Sequence, residues 1–444
     1  MYIKCPIEVS ATNYPDKEWC ISKSNTVTYK QAHQLISAIQ LDLKDYKKQK
    51  RVAILSKCKI TVALYTWAAL RQSLVPVILN IKEPTKTINQ TVRFLNATFI
   101  DLKALAQLEP VNSLHNALHL NAVASVIATS GSSGKPRFVE HLLSHHYYSY
   151  MGIKTPLSVS SKAKWFHTLP MHHISGLAIL FRMAFVSGTL VMSATDNWGL
   201  EKATHASLVC TQVQALIDTN KLSKLTGLKA LLLGGSAISE NVKDALVSLS
   251  INAFASYGLT ESASLITLAL IKDYPSVGCV LPFRELAVTN DAINIKGKTL
   301  FKGYVQNDFF TELTLDQSGW FNTHDLGCLV HKELLVKGRK DAMIISGGEN
   351  VSLYEIENTL LNHPLIKACK AIGVKDDTYG EVVHMYIGID NLLTNDLIHS
   401  FNEFLMQFLP NYKCPKQYFL MSNLPLSTGK IKEICDILPD LHKI

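Results

Sequence analysis

None of the nine cysteines stands in a Cys-x-x-Cys pair. A structural zinc site or a disulfide framework ordinarily needs such spacings, so reduced thiols and a cytoplasmic setting are expected. Long lysine–arginine runs are also missing. The 44 basic and 36 acidic residues leave a net charge of +8 spread along the chain, which suits anionic small molecules and argues against a nucleic-acid partner. No stretch reaches the roughly 18 uninterrupted apolar residues of a membrane span. The most apolar segment, Gly176 to Met192, is broken by Arg182, Ser187 and Gly188. Met1 to Pro15 contain nothing like a secretion signal, and neither repeats nor low-complexity tracts occur. No membrane partner is expected, and the sequence leaves self-association into a homo-oligomer open. What is present is ample apolar material, 47% of 444 residues. That length exceeds one ordinary core and fits either about three domains or a large α/β domain with a smaller one.

Hydrophobic patterning favours the second organisation. Short β-rich runs at Arg51 to Leu55 and Val75 to Leu79 flank a helical pattern that includes Ala63 to Leu70. Further strands are predicted at Ala124 to Ala128, Ser207 to Cys210, Ala230 to Leu233 and Ala253 to Ser256, with a helix at Glu240 to Leu249. This alternation predicts βαβ units, with helices flanking mostly parallel sheets. Beyond about Ile271 the pattern shortens into hairpins, such as Leu286 to Thr289 and Ile293 to Ile295 around an Asn290-Asp291 turn. Near Gly338 an α+β section begins, with a helix at Tyr354 to Leu361 and strands at Cys369 to Val374 and Val382 to Ile389. A later helix there carries Leu397, Phe401, Phe404, Leu405 and Phe408 on one stripe. The expected fold is therefore α/β: a large N-terminal domain over 1–340 with a small β-rich subdomain, and a small C-terminal α+β domain over 341–444.

The strongest local signal follows the predicted strand Ser125 to Ala128. Thr129, Ser130, Gly131, Ser132, Ser133, Gly134 and Lys135 combine glycines, which let backbone approach an anion, with hydroxyls and a cation. The run is not a Walker A loop, because Thr129 stands where that motif needs glycine and Pro136 where it needs Ser or Thr. Taken alone it also reads as a flexible linker. Other segments decide between the readings by their order: Tyr257-Gly258-Leu259-Thr260-Glu261, Asn322 to Gly327 around Asp325, and Lys337 to Asp341 around Arg339. Ser346 to Asn350, Tyr354 to Glu357, and Leu424 to Ile431 around Lys430 complete the series. Together they resemble the acyl-adenylate-forming superfamily of acyl-CoA synthetases, adenylation domains and luciferases, over nearly the whole chain.

That resemblance implies an enzyme that joins a carboxylate to AMP at the expense of ATP and then passes the acyl group to a thiol, usually that of coenzyme A. It implies that Thr129 to Lys135 cradle the β- and γ-phosphates, that Thr260 reaches the α-phosphate, and that Glu261 helps hold Mg²⁺. Tyr257 is implied beside adenine with Ser256 and Gly258 shaping the wall, and Asp325 on the ribose hydroxyls with Arg339 assisting. Lys430 bridges the reacting carboxylate and the α-phosphate. Asp341 is the implied hinge of a mobile C-terminal lid, whose Gly347 and Gly348 allow close approach of pantetheine. Each residue singly has a plainer reading as a solvated charge or a cap.

The acid is suggested by a second resemblance. His173, Ser175, Gly176 and Arg182 match the His-x-Ser-Gly plus Arg pattern of o-succinylbenzoate–CoA ligases of menaquinone biosynthesis. Ala206 to Gln212 and Leu233 to Ala237 look like the same branch. In a helix Ser175 and Arg182, seven apart, share a face about two turns apart. By spacing alone, Arg182 snorkels to water or joins an internal ion pair. The resemblance implies instead that it grips a second carboxylate with help from Ser175, while Gly234 and Gly235 let the sheet edge approach and Gln212 adds a polar contact. His173 either lines the acyl pocket or merely packs there. Three departures from the superfamily pattern stand out: Phe138 where glycine is usual, His324 where glycine precedes the aspartate, and Ser352-Leu353 at a frequent proline. Ligation of another aromatic or short-chain acid, loading of a carrier protein, and a catalytically dead nucleotide-binding protein remain alternative readings.

Overall fold

Runs of four residues buried on every side, rich in Leu, Val and Phe, form parallel strands because both faces of such a sheet are covered. Thr189–Met192 and Ala230–Leu233 are of this kind, and Lys164–His167 and His205–Leu208, which carry polar residues as well, lie with them. The computed structural model describes residues 1–46, 48–111, 117–130, 136–193, 198–235, 238–272, 276–306, 311–346, 349–376, 378–390 and 393–420. In it these four strands form the centre of a nine-stranded sheet. Glu18–Ile21 continues the parallel pairing on one side and Ala253–Leu259 on the other. The outer strands Thr26–Thr28, Ser264–Leu270 and Cys279–Val280 pair antiparallel. A second, three-stranded parallel sheet of Arg51–Ile54, Val75–Ile78 and Ala97–Phe99 encloses the buried helix Lys59–Arg71 in its first crossover.

The apolar run from Gly176 to Met192 becomes two elements. Ile174–Val186 is a helix that is apolar and buried almost all round, as a helix within a core must be. Ser187, at φ +55°, ends it in the left-handed conformation, and the Gly188 amide bonds back to the Met183 carbonyl at 2.8 Å. The strand Thr189–Met192 follows at once.

Two antiparallel sheets make up the β-rich part. One pairs Val123–Ser130 with Pro136–Leu142, and Pro136–Leu142 in turn with Gly303–Val305 and Thr311–Glu312. This corrects the expectation that hairpin structure begins near Ile271, because two of its strands come from the first third of the chain. The other sheet joins Arg284–Thr289, Ala292–Gly297, Phe321–Val330 and Glu333–Arg339. Asn290 and Asp291 turn its first hairpin with φ +50° and +61°, the pair of left-handed residues that a two-residue turn needs.

Buried residues from Ile344 to Tyr418 form a separate cluster around Phe401, Leu405 and Met385. It is built from the sheet of Met343–Ser346, Glu349–Ser352, Gly380–Gly388, Ala368–Asp376 and Gln417–Leu420, with helices Leu353–Leu360 and Asn395–Met406. The predicted stripe extends one residue too far. The helix stops at Met406, so Phe408 falls beyond it and is 64% exposed, while Leu409 turns inward instead.

Candidate active site

In doubly wound sheets ligands sit in the crevice beyond the carboxyl ends of the parallel strands. Several of the sequence-predicted residues, Gly234, Gly235, Ser256, Tyr257 and Gly258 among them, lie at or near those strand ends. After Leu233 the chain leaves its strand at Gly234, where an added Cβ would lie 2.8 Å from the Ser256 hydroxyl, and at Gly235, with φ +87°. The Ser256 hydroxyl donates to the Leu233 carbonyl at 2.8 Å and ties the two strand ends together. Tyr257, Gly258 and Leu259 lie within the strand Ala253–Leu259 rather than after it. Gly258 is needed there because the register slips beside it and a Cβ would sit 2.1 Å from the Ser264 carbonyl oxygen.

Tyr257 joins this sheet to the antiparallel one. Its phenol donates to Asp325 Oδ2 at 2.5 Å, and burial with the adjacent Asp325 charge raises the phenol's pKa well above its ordinary value. Asp325 Oδ1 accepts from Arg339 Nη1 at 3.3 Å, the two residues being register partners in neighbouring strands. His324 has φ +61° and so keeps the left-handed backbone of the glycine it replaces. Tyr354, from the first helix of the C-terminal cluster, is a phenol pushed up by burial and, to a smaller degree, by charges that include Asp325. It packs on Gly338, where a Cβ would meet its own Cβ at 2.8 Å.

Thr260 and Glu261 form a single 3-10 turn after Leu259. His141 donates its Nε2–H to the Thr260 carbonyl at 2.7 Å, and burial lowers the imidazole pKa to about 4, which keeps the ring neutral. Glu261 Oε1 accepts from the Tyr304 hydroxyl at 2.6 Å, and Arg137 lies over the Tyr304 ring at 5.4 Å. Among the described residues Glu261 Oε2 makes no hydrogen bond, so one hard oxygen of a held carboxylate is available, the donor that Mg²⁺ prefers. Thr129 sits at the mouth of its strand with its hydroxyl on the Arg137 carbonyl at 3.3 Å.

On the other side of the crevice, Arg182 is only 1% exposed and does not snorkel. Its Nη2 donates to the Ser264 hydroxyl at 2.9 Å and its guanidinium lies 5.5 Å from the Trp165 ring centroid. No carboxylate pairs with it among the described residues, and Nε has no hydrogen-bond partner. Burial lowers its pKa to about 10. Arg284, whose pKa is lowered to about 9 by burial and then by the charge of Arg182, differs in being wrapped by the carbonyls of Leu265, Pro282 and Ser149. Ser175 is half-buried in the first turn of the same helix as Arg182, and the exposed His173 stands just before that helix without a side-chain capping bond to it. Gln212 lies in the first turn of the helix Cys210–Asp218; its Oε1 accepts from the Val209 amide at 3.1 Å and its Nε2 reaches Thr168 Oγ1 at 3.4 Å.

Gly131, Ser132, Ser133, Gly134, Lys135, Gly347, Gly348 and Lys430 lie outside the described residues, as do the side chains of Ser130 and Asp341. Asp341 itself falls in the 3-10 turn Lys340–Ala342. Sequence reasoning missed Tyr304, His141, Ser264 and Trp165. Their partners are 43, 119, 82 and 17 positions away in the chain or on another sheet, and no local pattern encodes such pairs.

This arrangement is that of an AMP-binding enzyme. The family model described as AMP-binding enzyme matches residues 98–305, and the AMP-binding enzyme C-terminal domain matches residues 355–430. Relatives named 2-succinylbenzoate–CoA ligase include one from Haemophilus influenzae, 28% identical over 395 residues that cover 88% of this chain and 86% of the relative. Another, from Bacillus licheniformis, is 30% identical over 339 residues, 71% of this chain and 70% of the relative. The chain belongs to the 2-succinylbenzoate–CoA ligase family. In fold it matches the O-succinylbenzoate coenzyme A synthetase of Bacillus subtilis in complex with ATP and magnesium ion, with a TM-score of 0.84 at 24% identity over 96% of this chain and 97% of that one.

Proposed function

We propose that this protein is an ATP-dependent acid–CoA ligase that converts 2-succinylbenzoate, also called o-succinylbenzoate, into its coenzyme A thioester. A carboxylate oxygen of the acid attacks the α-phosphorus of ATP, the bond to the β-phosphate oxygen breaks, and pyrophosphate leaves. The sulfur of coenzyme A then attacks the acyl carbon, its proton passes to solvent, and the acyl–oxygen bond to AMP breaks. Family membership across most of the chain supports the reaction class.

The observation that carries the choice of acid is Arg182. A buried guanidinium without a carboxylate partner among the described residues is costly unless an anion completes it. A dicarboxylic acid supplies that anion with the carboxylate that is not activated. Tyr257, Asp325 and Arg339 form the nucleotide side, with Asp325 on the ribose. Thr129 to Lys135 hold the β- and γ-phosphates, and Thr260 reaches the α-phosphate. Glu261, fixed by Tyr304, would hold Mg²⁺, which when bound neutralises charge on the phosphates. The enzyme's main task is to align groups of like charge that repel each other in solution. The 341–444 unit acts as a lid hinged at Asp341. In one orientation it brings Lys430 to the carboxylate and α-phosphate, and in the other it brings the Gly347-Gly348 segment to the thiol.

Pyrophosphate release across a panel of carboxylic acids, with and without coenzyme A, tests the proposal. Release that depends on 2-succinylbenzoate, with AMP and the thioester formed only when coenzyme A is added, is expected. Stronger turnover of a monocarboxylic acid would reject the choice of acid, and silence with every acid would reject the ligase.

A further inference from the structure

Lys59 opens the helix Lys59–Arg71, a place where the helix dipole disfavours a cation. Its ammonium nevertheless turns away from water and donates to three main-chain carbonyls: His167 at 2.9 Å, Thr168 at 2.8 Å and Ser193 at 2.8 Å. These carbonyls lie at or just past the ends of the adjacent parallel strands Lys164–His167 and Thr189–Met192, so one side chain from the crossover helix of the smaller parallel sheet braces two strand ends of the nine-stranded one. An ammonium has three N–H donors, and all three are used.

The braced segment leads into the acid side of the crevice. Thr168 Oγ1 receives Gln212 Nε2, and His167 donates its Nε2–H to the Gly176 carbonyl at 2.9 Å in the first turn of the helix that carries Arg182. Lys59 is therefore linked, through Thr168 and His167, both to Gln212 and to the helix that carries Arg182. We propose that Lys59 is a positioning residue for acid recognition: its ammonium fixes the 168–173 segment, and through Thr168 and His167 the placement of Gln212 and of the Ile174–Val186 helix. This rests on the acid–CoA ligase reading and adds a residue to it.

The donor count also gives the brace a pH signature. Burial lowers the Lys59 pKa from 10.5 to about 8, and a neutral amine keeps only two N–H donors for three carbonyls. The titratable group facing it is His167, which burial and then the Lys59 charge hold near a pKa of about 3, neutral throughout the working range. The brace is therefore complete below pH 8 and loosens as the pH rises past it.

Two measurements on the full chain decide the matter. Amide hydrogen exchange at pH 7 compares wild type with Lys59→Met. Faster exchange confined to 168–176 and the 193 region is expected, with the core helix Lys59–Arg71 still protected. Unchanged exchange at 168–176 overturns the proposal, and so does a global loss of protection, which marks a merely structural role. ATP–pyrophosphate exchange without coenzyme A then gives the acid and ATP KM values from pH 6.5 to 9.5. In Lys59→Met the acid KM should rise about tenfold, the worth of one charged hydrogen bond, with the ATP KM unchanged. Lys59→Arg should restore the acid KM at pH 7 and abolish the rise that wild type shows above pH 8. An unaltered acid KM in Lys59→Met, or the same alkaline limb in Lys59→Arg, refutes the role. If wild type fails to exchange with any acid, the ligase reading falls, and hydrogen exchange alone decides whether the brace exists.

Discussion

Arg182 and Glu261 show how differently a buried and a half-buried charge are managed. Arg182 has a hydroxyl at 2.9 Å and an aromatic face, neither of which neutralises it, and in the proposed function its charge meets the second carboxylate of the acid. Arg182→Ala should raise the KM for 2-succinylbenzoate on the order of 10²-fold, as expected when one half of a desolvated charge pair is removed, and should barely alter that for a monocarboxylic analogue. Parallel kinetics on the two acids check this, and equal effects would return Arg182 to a structural role. Glu261 is held by a neutral phenol at 2.6 Å, which orients the carboxylate without cancelling its charge. If Glu261 holds Mg²⁺ as proposed, Tyr304→Phe should leave the fold intact and raise the Mg²⁺ concentration for half-maximal adenylation about tenfold, the usual cost of losing an outer partner of a metal ligand. A Mg²⁺ titration at fixed ATP reads the shift.

Among the elements, the strand Pro136–Leu142 connects most of the site. Arg137 lies over Tyr304, His141 holds the Thr260 carbonyl, and Glu140 between them is fully buried. Glu140 accepts from Lys302 at 2.7 Å and Thr311 at 2.9 Å and lies 3.6 Å from Arg51, so it joins the strand to the second parallel sheet and to the segment around Gly303. Burial alone would raise its pKa, but the hydrogen bonds from Lys302 and Thr311, with the charges of Lys302 and Arg51, outweigh burial and hold it below the usual carboxylate value. Its stabilising contribution is therefore fully present above the unfolded-state pKa near 4.5 and is lost as the pH falls through the lower folded-state value. Glu140→Gln should cost about 3 kcal/mol at neutral pH by removing the buried carboxylate beside the buried Arg51. Urea unfolding at pH 7 and at pH 3 measures this, and the difference between variant and wild type should shrink in acid.

For the whole molecule, the proposed function is tested on its two partial reactions, which in that proposal need different orientations of the 341–444 unit. If Lys430 serves only adenylation, Lys430→Ala should reduce acid-dependent pyrophosphate release by roughly 10²–10³-fold. It should largely spare thioester formation from supplied acyl-adenylate. Rapid-quench measurement of each half-reaction separates the two, and equal losses would remove Lys430 from its assigned step. The helix Leu353–Leu360 contacts the strand Glu333–Arg339 through Tyr354 on Gly338.

Much of this was legible in the chain itself. Apolar runs such as Val75 to Leu79 and Ala230 to Leu233 are legible as buried strands, whereas Lys164–His167 and Thr189–Met192 are not, the first carrying Lys and His and the second merging with the apolar helix before it. The glycines at 234, 235 and 258 mark backbone that a Cβ would obstruct or strain. Ordered motifs such as Tyr257 to Glu261 and Asn322 to Gly327 pointed to the reaction class, because phosphate and ribose chemistry constrains short stretches of backbone. What only the tertiary structure decided was pairing across distance. That Arg182 is sealed against Trp165 and Ser264 rather than snorkelling, that Tyr304 orients Glu261, and that Lys59 braces strand ends more than 100 residues away all depend on side chains from separate sheets. Periodicity in a sequence reports which face of an element is buried. The partner that meets a polar group on that face is chosen when the sheets and helices pack, and there the low dielectric makes each such choice costly to leave unmade.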